Sequence, residues 1–386
     1  MLQALADRVF TSRAVHIRVA GTGFTAGPGE PELTVHLADA ATALAIAVNP
    51  ELAVGEAYMD GRLTVEGGDI YDFLSLAASQ MAVRPMRRGL LWRWKRRLAQ
   101  TNDRLRARRN VHHHYDLTLE FYRLFLDDDL QYSCALFETP DATLDQAQAA
   151  KKRRLIDKLI LAPGQSVLDI GCGWGGMGLS LALAGGQVTG VTLSTEQHAT
   201  ARARAIESGL SDRTDFRLQD YRDLDGTFDR IISVGMFEHV GLPNYQTYFD
   251  AVARLLNADG VAVIHAIGRR GPPSRTQPWI AKHIFPGGYI PSLSEVFPAI
   301  ERAGLWVTDM EVLRLHYAET LRLWRERFLA RRDEAVALYD ERFCRMWEFY
   351  LASSEVGFRD LGHMVFQIQL SKRQDAVPLT RAYLCD

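Results

Sequence analysis

Ten residues, Val167-Leu-Asp-Ile-Gly-Cys-Gly-Trp-Gly-Gly176, constrain the fold of this 386-residue chain more than any others. A short, mostly apolar run ends in three alternating glycines, Gly171, Gly173 and Gly175. Glycines in that place let the backbone leave a buried strand in a sharp turn and pass close to a ligand. A helix starting behind them would present free N–H groups. The spacing departs from the Gly-x-Gly-x-x-Gly dinucleotide fingerprint, and Asp169 precedes the turn, where it would repel a pyrophosphate. A cationic sulfonium that carries an amino-acid group tolerates such an acid, which points to S-adenosylmethionine. The competing reading is an ordinary strand–helix turn.

The flanking sequence supports a sheet. From Lys151 onward the pattern predicts a helix over 151–161, a turn at Pro163-Gly164 and a strand over 166–170. A helix over 176–184, a strand over 187–193 and a helix over 195–208 follow, then strands over 215–218, 230–234 and 260–267. Near-continuous apolar strands alternating with helices indicate a parallel sheet covered on both faces. The strand over 188–193 should end in an acid that holds ribose hydroxyls, but it ends Thr192-Leu193-Ser194. Glu196 lies two residues too late, so Gln197 or the Thr192 hydroxyl must contribute instead. The pair Asp220-Tyr221, after the next strand, is placed to meet an adenine edge and face.

The first 83 residues read as a separate small α+β domain. Apolar and polar residues alternate over 14–19 and 33–37, which predicts strands, and the Ala-rich stretch 42–48 looks similar. Glycine- and proline-rich 21–31 reads as a loop. Helices are expected over 51–59 and 69–81, the latter with Asp69 as N-cap. A linker over 84–110 follows. It holds eleven basic residues and one acid, Asp103, which leaves the rest of a chain of net charge −2 near −12. Trp92 and Trp94 lie among Arg93, Lys95, Arg96 and Arg97. Two readings stand: a solvated helical linker, or a surface for anionic lipid headgroups, where basic residues and tryptophans both favour the interface. No known nucleic-acid motif occurs, so a nucleic-acid partner is not expected.

The chain has no run of the roughly 18–20 apolar residues that span a bilayer, and its first residues lack a secretory pattern. A cytoplasmic protein held peripherally at the inner face of the membrane is the expectation. The four cysteines form no Cys-x-x-Cys pair, which argues against a zinc ribbon or a disulfide framework. The adjacent His112, His113 and His114 cannot converge on one ion in regular structure, so no metal site is expected.

Further segments carry a more specific signal. They are His114-Tyr-Asp-Leu117, Gln131-Tyr-Ser-Cys-Ala135, Gly190-Val-Thr-Leu-Ser194, Gln219-Asp-Tyr-Arg222 and Gly235-Met-Phe-Glu-His-Val-Gly241. His265-Ala-Ile-Gly268, Phe285-Pro-Gly-Gly-Tyr289 and His316-Tyr317 follow in order. With the glycine turn, these resemble the cyclopropane-fatty-acyl-phospholipid synthase family and its relatives that modify mycolic acids. Residues 49–61 are similar to the N-terminal domain of the phospholipid-modifying branch.

The resemblance implies an α/β fold: a Rossmann-like class I methyltransferase domain with a seven-strand-type sheet over 111–386, behind the small N-terminal α+β domain. It implies methylene transfer from S-adenosylmethionine to the cis double bond of unsaturated phospholipid acyl chains. The alkene attacks the sulfonium methyl, and bound bicarbonate takes a proton as the ring closes. Carried over to this sequence, the holders of bicarbonate would be Cys134, Glu238, His265, Ile267 and Tyr317, with Cys134 and Ile267 acting through backbone N–H groups. The cofactor set would be Tyr115, Tyr132, Ser133, Asp169, Gly171, Gly173, Thr192, Leu193, Gln197, Asp220 and Tyr221. A homodimer is also implied.

Each residue has a plainer reading when taken singly: a buried Cys134, a helix-capping Glu238, a core His265, a packing Tyr317. His239 reads as structural. The aromatic residues over 321–370 read mainly as core, some of them lining an acyl-chain corridor. Rival outcomes are a methyl or methylene branch on the acyl chain, N-methylation of a small amine, and a lipid-binding scaffold without activity.

Overall fold

The computed structural model describes residues 1–81 and 117–384. The linker over 84–110, the His112–His114 triplet and Tyr115 therefore lie outside the described residues.

Helix α1 (Leu2–Val9) leads into β1 (Ala14–Val19), β2 (Thr22–Ala26) and β3 (Pro31–Leu37). Helices α2 (Ala40–Val48) and α3 (Pro50–Met59), strand β4 (Leu63–Glu66) and helix α4 (Ile70–Gln80) follow. The four strands form one sheet in the order β2-β1-β3-β4. Two expectations are corrected here. Residues 42–48 are helical: the Asp39 side chain accepts the Thr42 N–H at 2.7 Å, and this cap turns an Ala-rich, low-contrast stretch into α2. The supposed loop over 21–31 contains β2, which pairs antiparallel with β1 despite its glycines. The Asp69 cap is present and forms a reciprocal capping box with Asp72.

The second part begins with the short α5 (Leu119–Tyr122) and the long α6 (Leu144–Leu159). Then β5 (Ser166–Ile170), α7 (Gly176–Leu183), β6 (Gln187–Thr192), α8 (Thr195–Glu207), β7 (Thr214–Leu218) and β8 (Phe228–Val234) alternate. Helix α9 (Tyr245–Leu255) and the long β9 (Leu256–Arg269) complete the parallel part. Helices α10 (Pro278–His283) and α11 (Leu293–Arg302), strand β10 (Trp306–Leu313), helices α12 (His316–Ala330), α13 (Arg332–Leu338) and α14 (Glu341–Arg359), and strand β11 (His363–Ser371) end the fold.

The seven strands run in the order β10-β11-β9-β8-β5-β6-β7. Strands β9, β8, β5, β6 and β7 are parallel, while β11 pairs antiparallel with both β9 and β10. The chain moves outward from β5 through β6 to β7, then returns to place β8 and β9 on the other side. That reversal is the topological switch of an open α/β sheet, and its crevice opens at the C-terminal strand ends. The small sheet and α3 share a continuous apolar core with α12 and α14. Trp279 of α10 is wholly buried in that core; a Cβ on Gly55 of α3 would lie 2.5 Å from its ring. Among the described residues, no helix is long and apolar enough to cross a membrane.

Candidate active site

The crevice at the switch point is lined from five loops. Ile170, Gly171 and Gly173 follow β5; Val191, Thr192, Leu193 and Gln197 close β6 and open α8. Gln219 to Arg222 follow β7, and Val234 to Met236 follow β8 with His239, Val240 and Asn244. Pro286 and Gly287 close the far side. Seven residues of the expected cofactor set therefore share one pocket: Gly171, Gly173, Thr192, Leu193, Gln197, Asp220 and Tyr221.

Local chemistry shapes each wall. Gly171 has φ +85°, and a Cβ there would lie 2.9 Å from the Met236 Cβ, so the turn needs glycine for both conformation and space. Its N–H and that of Cys172 both donate to the Val191 carbonyl, at 2.9 and 3.0 Å, tying the β5 turn to β6. Thr192 donates from Oγ1 to Gln197 Oε1 at 3.0 Å, so the two candidates for ribose contact form one polar edge. Glu196 faces elsewhere and accepts the Leu119 N–H at 3.3 Å. Arg222 holds Asp220 through two contacts, at 2.9 and 2.5 Å. Tyr221 packs edge-on against Tyr248, ring centroids 5.7 Å apart.

Asp169 lies behind the turn. It is 1% exposed, and its Oδ2 has no hydrogen-bond partner among the described residues. Burial raises its pKa to about 7. A buried carboxyl oxygen at the head of a glycine turn suits a cationic ligand with an ammonium group, which is what S-adenosylmethionine offers. His239, read from sequence as structural, lines the pocket, and burial lowers its pKa to about 4. In the single helical turn after β8, Glu238 is buried while His239 is half-buried and lines the pocket.

Among the described residues, the other expected ones lie outside this lining, and Cys134, Ser133, Glu238, His265 and Tyr317 are buried. Glu238 Oε1 accepts the Ile267 N–H at 2.6 Å, while Oε2 is buried with no partner among the described residues. Burial raises the Glu238 pKa to about 7, against the opposing effect of that backbone bond. His265 sits two residues before Ile267 on β9, on the same strand face, and is 2% exposed. Burial, then the nearby ammonium groups of Lys151 and Lys158, push its pKa well below the usual histidine value.

Helix α12 fixes the segment around Cys134. Thr320 Oγ1 accepts the Ala135 N–H at 3.0 Å, and His316 Nδ1 accepts the Phe137 N–H at 3.1 Å, pinning the segment that carries Cys134. Cys134 is wholly buried, which pushes its thiol pKa up. Tyr317, on the same helix, lies 5.8 Å from the Trp324 ring, and Trp324 in turn stacks on Tyr132 at 5.2 Å. Tyr132 OH pairs with Tyr350 OH at 2.8 Å. Ser133 Oγ accepts from Lys151 Nζ at 2.9 Å. Cys134, Tyr317, Ile267 and Tyr132 all belong to one apolar cluster. Tyr132 and Ser133 are absent from the lining of the glycine pocket.

Sequence reasoning also missed the buried polar face of α6. Gln148 donates to the Gln131 and Ser133 carbonyls at 3.2 and 2.9 Å, and Lys151 donates to Gln131 Oε1 at 2.6 Å. Burial lowers the Lys151 pKa to about 8, with Asp127 opposing.

Comparisons with known proteins identify the family. The family described as mycolic acid cyclopropane synthetase matches residues 102–368. A tuberculostearic acid methyltransferase of Mycobacterium tuberculosis is 38% identical over 385 residues, covering 92% of this chain and 88% of that protein. The cyclopropane-fatty-acyl-phospholipid synthase of Escherichia coli is 39% identical over 323 residues, covering 83% of each. A mycolic acid cyclopropane synthase solved with SAH and CTAB aligns with TM-score 0.64 and 36% identity, covering 68% of this chain and 97% of that one. The chain belongs to the mycolic acid cyclopropane synthetase family of S-adenosylmethionine-dependent methyltransferases.

Proposed function

We propose that this enzyme transfers a methylene group from S-adenosylmethionine to the cis double bond of an unsaturated phospholipid acyl chain and closes a cyclopropane ring. The observation that carries the reading is the buried Glu238 with one oxygen on the Ile267 N–H and the other without a partner among the described residues, beside the glycine pocket. Relatives that act on acyl chains, by their names, support it.

An alkene is a weak nucleophile, so orientation and stabilisation of developing positive charge must supply the catalysis. The alkene π electrons form a bond to the sulfonium methyl carbon as the carbon–sulfur bond breaks, leaving S-adenosylhomocysteine. The resulting cation loses a proton from the transferred methyl group as the ring closes. Tyr132, Tyr317 and Trp324 offer aromatic faces to such a cation. Bicarbonate, when bound, would supply the base for that proton, held by Cys134, Glu238, His265 and Tyr317. The Ile267 N–H, expected from the resemblance to hold it directly, is donated to Glu238 Oε1 and so acts by fixing that carboxyl. Glu238 suits this role in its neutral form. Its Oε2–H then donates to an anion that an ionised carboxylate would repel.

We place the acyl chain in the aromatic cluster around Tyr132 and Tyr350, and the headgroup at a membrane surface that the enzyme meets peripherally as a homodimer. The similarity to a tuberculostearic acid methyltransferase favours one second reading, a branch in place of a ring. Both outcomes share the cation. The test is incubation with S-adenosylmethionine and vesicles of monounsaturated phospholipid, followed by lipid mass spectrometry. Gain of one CH2 per alkene on the acyl chain is expected; unmodified acyl chains would overturn the proposal.

A further inference from the structure

Two buried polar side chains, Lys158 and Gln367, connect α6 to His265. Gln367 of β11 is the direct cross-strand partner of His265 on β9. Its side chain is wholly buried, as is that of Lys158 on α6. Lys158 Nζ donates to Gln367 Oε1 at 2.6 Å and pairs with the Glu311 carboxylate at 2.5 Å. Gln367 Nε2 lies 3.1 Å from His265 Nδ1.

An ammonium has only protons to offer, so the Gln367 oxygen must face Lys158. The amide therefore turns its NH2 group to His265. Because NH2 only donates, Nδ1 must be bare and accept, and the single proton of a neutral imidazole must sit on Nε2.

We propose that Gln367, oriented by Lys158, is a positioning residue that holds His265 as its neutral Nε2–H tautomer, so that the ring donates from the edge opposite Gln367. The inference rests on the proposed placement of His265 at the reacting centre. There a donor stabilises a bound anion, whereas a bare Nε2 would face that anion with a lone pair. Lys158 is itself fixed, because Gln369 Nε2 donates to its backbone carbonyl at 2.6 Å. The ammonium groups of Lys151 and Lys158 also disfavour a second proton on the ring. Helix α6 thereby reaches two places: Lys151 and Gln148 hold the segment before Cys134, and Lys158 sets the histidine.

Nitrogen NMR of the full-length protein labelled with 15N-histidine reads the tautomer directly, with His265→Gln identifying the signal. The expected result is a protonated Nε2 and a bare Nδ1; a protonated Nδ1 would overturn the inference. Gln367→Glu keeps the shape but presents only acceptors, so the proton should move to Nδ1. Its kcat should then fall by about a hundredfold, the scale of a lost donor at a developing charge, with KM for S-adenosylmethionine unchanged. A flipped tautomer with undiminished kcat would overturn the positioning role. Should that variant fail to fold, Lys158→Met frees the amide to rotate, and a mixture of tautomers with lowered kcat is expected; a single unchanged tautomer would count against the relay. The NMR reading needs no turnover. Wild-type protein that shows Nε2–H yet alkylates no lipid would overturn the proposed function and leave the tautomer assignment standing.

Discussion

Glu238 accepts the Ile267 N–H at 2.6 Å and keeps its second oxygen buried without a partner among the described residues. This splits the carboxyl into a structural half and a half left for a ligand. Glu238→Gln retains an acceptor for Ile267 and an N–H donor in place of Oε2–H. Glu238→Ala removes both and leaves a buried N–H unsatisfied, at a cost of about 1–3 kcal/mol. The expected order of kcat is wild type, then E238Q, then E238A, by steady-state assay. Equal losses in the two variants would show that charge, not donation, is what Glu238 contributes.

Two buried carboxyls give stability a definite pH dependence. Burial raises both Glu238 and Asp169 to about 7 in the folded state, above the ordinary values of 4.5 and 3.8. The folded protein therefore binds more protons than the unfolded chain between those limits. Their contribution is fully present below the unfolded values and is lost as pH rises through about 7. Buried His239 and His363, lowered to about 4 and about 3, act in the opposite sense below the ordinary histidine value of 6.5. The carboxyl effect is therefore read as a difference between proteins: Asp169→Asn should lose less Tm than the wild type as pH rises from 6.5 past 7. Thermal melts over a pH series check this. The same variant, which replaces the carboxyl at the head of the glycine turn by a neutral amide, should bind S-adenosylmethionine more weakly by calorimetry.

Gly171→Ala tests the turn. The left-handed φ of +85° costs an L-residue roughly 1–2 kcal/mol, and contact with Met236 adds to it. Denaturant unfolding should show at least that loss, and titration should show weakened cofactor binding. Gly173→Ala, whose Cβ would meet nothing within 4 Å, should be better tolerated sterically.

The sheet around the glycine turn was legible because β5, β6 and β8 are buried apolar runs bounded by turn residues. Strands β10 and β11 were not. They are antiparallel additions whose residues, such as Gln367 and Gln369, are polar yet wholly buried. The inner face of α6 was hidden in the same way, because Gln148, Lys151 and Lys158 are polar yet buried. Their spacing of three and seven residues, with Leu155 between, is the stripe that could have shown it. The start of α6 was legible in principle from the Thr143–Gln146 capping box, which places it well before Lys151. Asp220 and Tyr221 were placed in the pocket by position alone, but the Arg222 clamp on Asp220 is a side-chain fact no strand pattern reveals.

Gly55→Val should disturb the site from a distance. A branched side chain there would meet the buried Trp279 ring at 2.5 Å from its Cβ alone. Helix α10, which carries Trp279, leads directly to Pro286 and Gly287 in the cofactor pocket. Overpacking of this kind costs about 1–3 kcal/mol. A lowered Tm together with a raised KM for S-adenosylmethionine is expected, whereas an isolated Tm change would confine the effect to packing.

The most direct test of methylene transfer to an acyl-chain alkene uses S-adenosylmethionine with a deuterated methyl group and monounsaturated phospholipid vesicles, with mass spectrometry and proton and deuterium NMR of the recovered lipid. The expected product carries the new carbon on the acyl chain, has lost one deuteron from the transferred methyl, and shows the label in a ring methylene. Label on the headgroup, or none on the lipid, would contradict lipid carbon alkylation; a fully retained deuterated methyl would contradict ring closure.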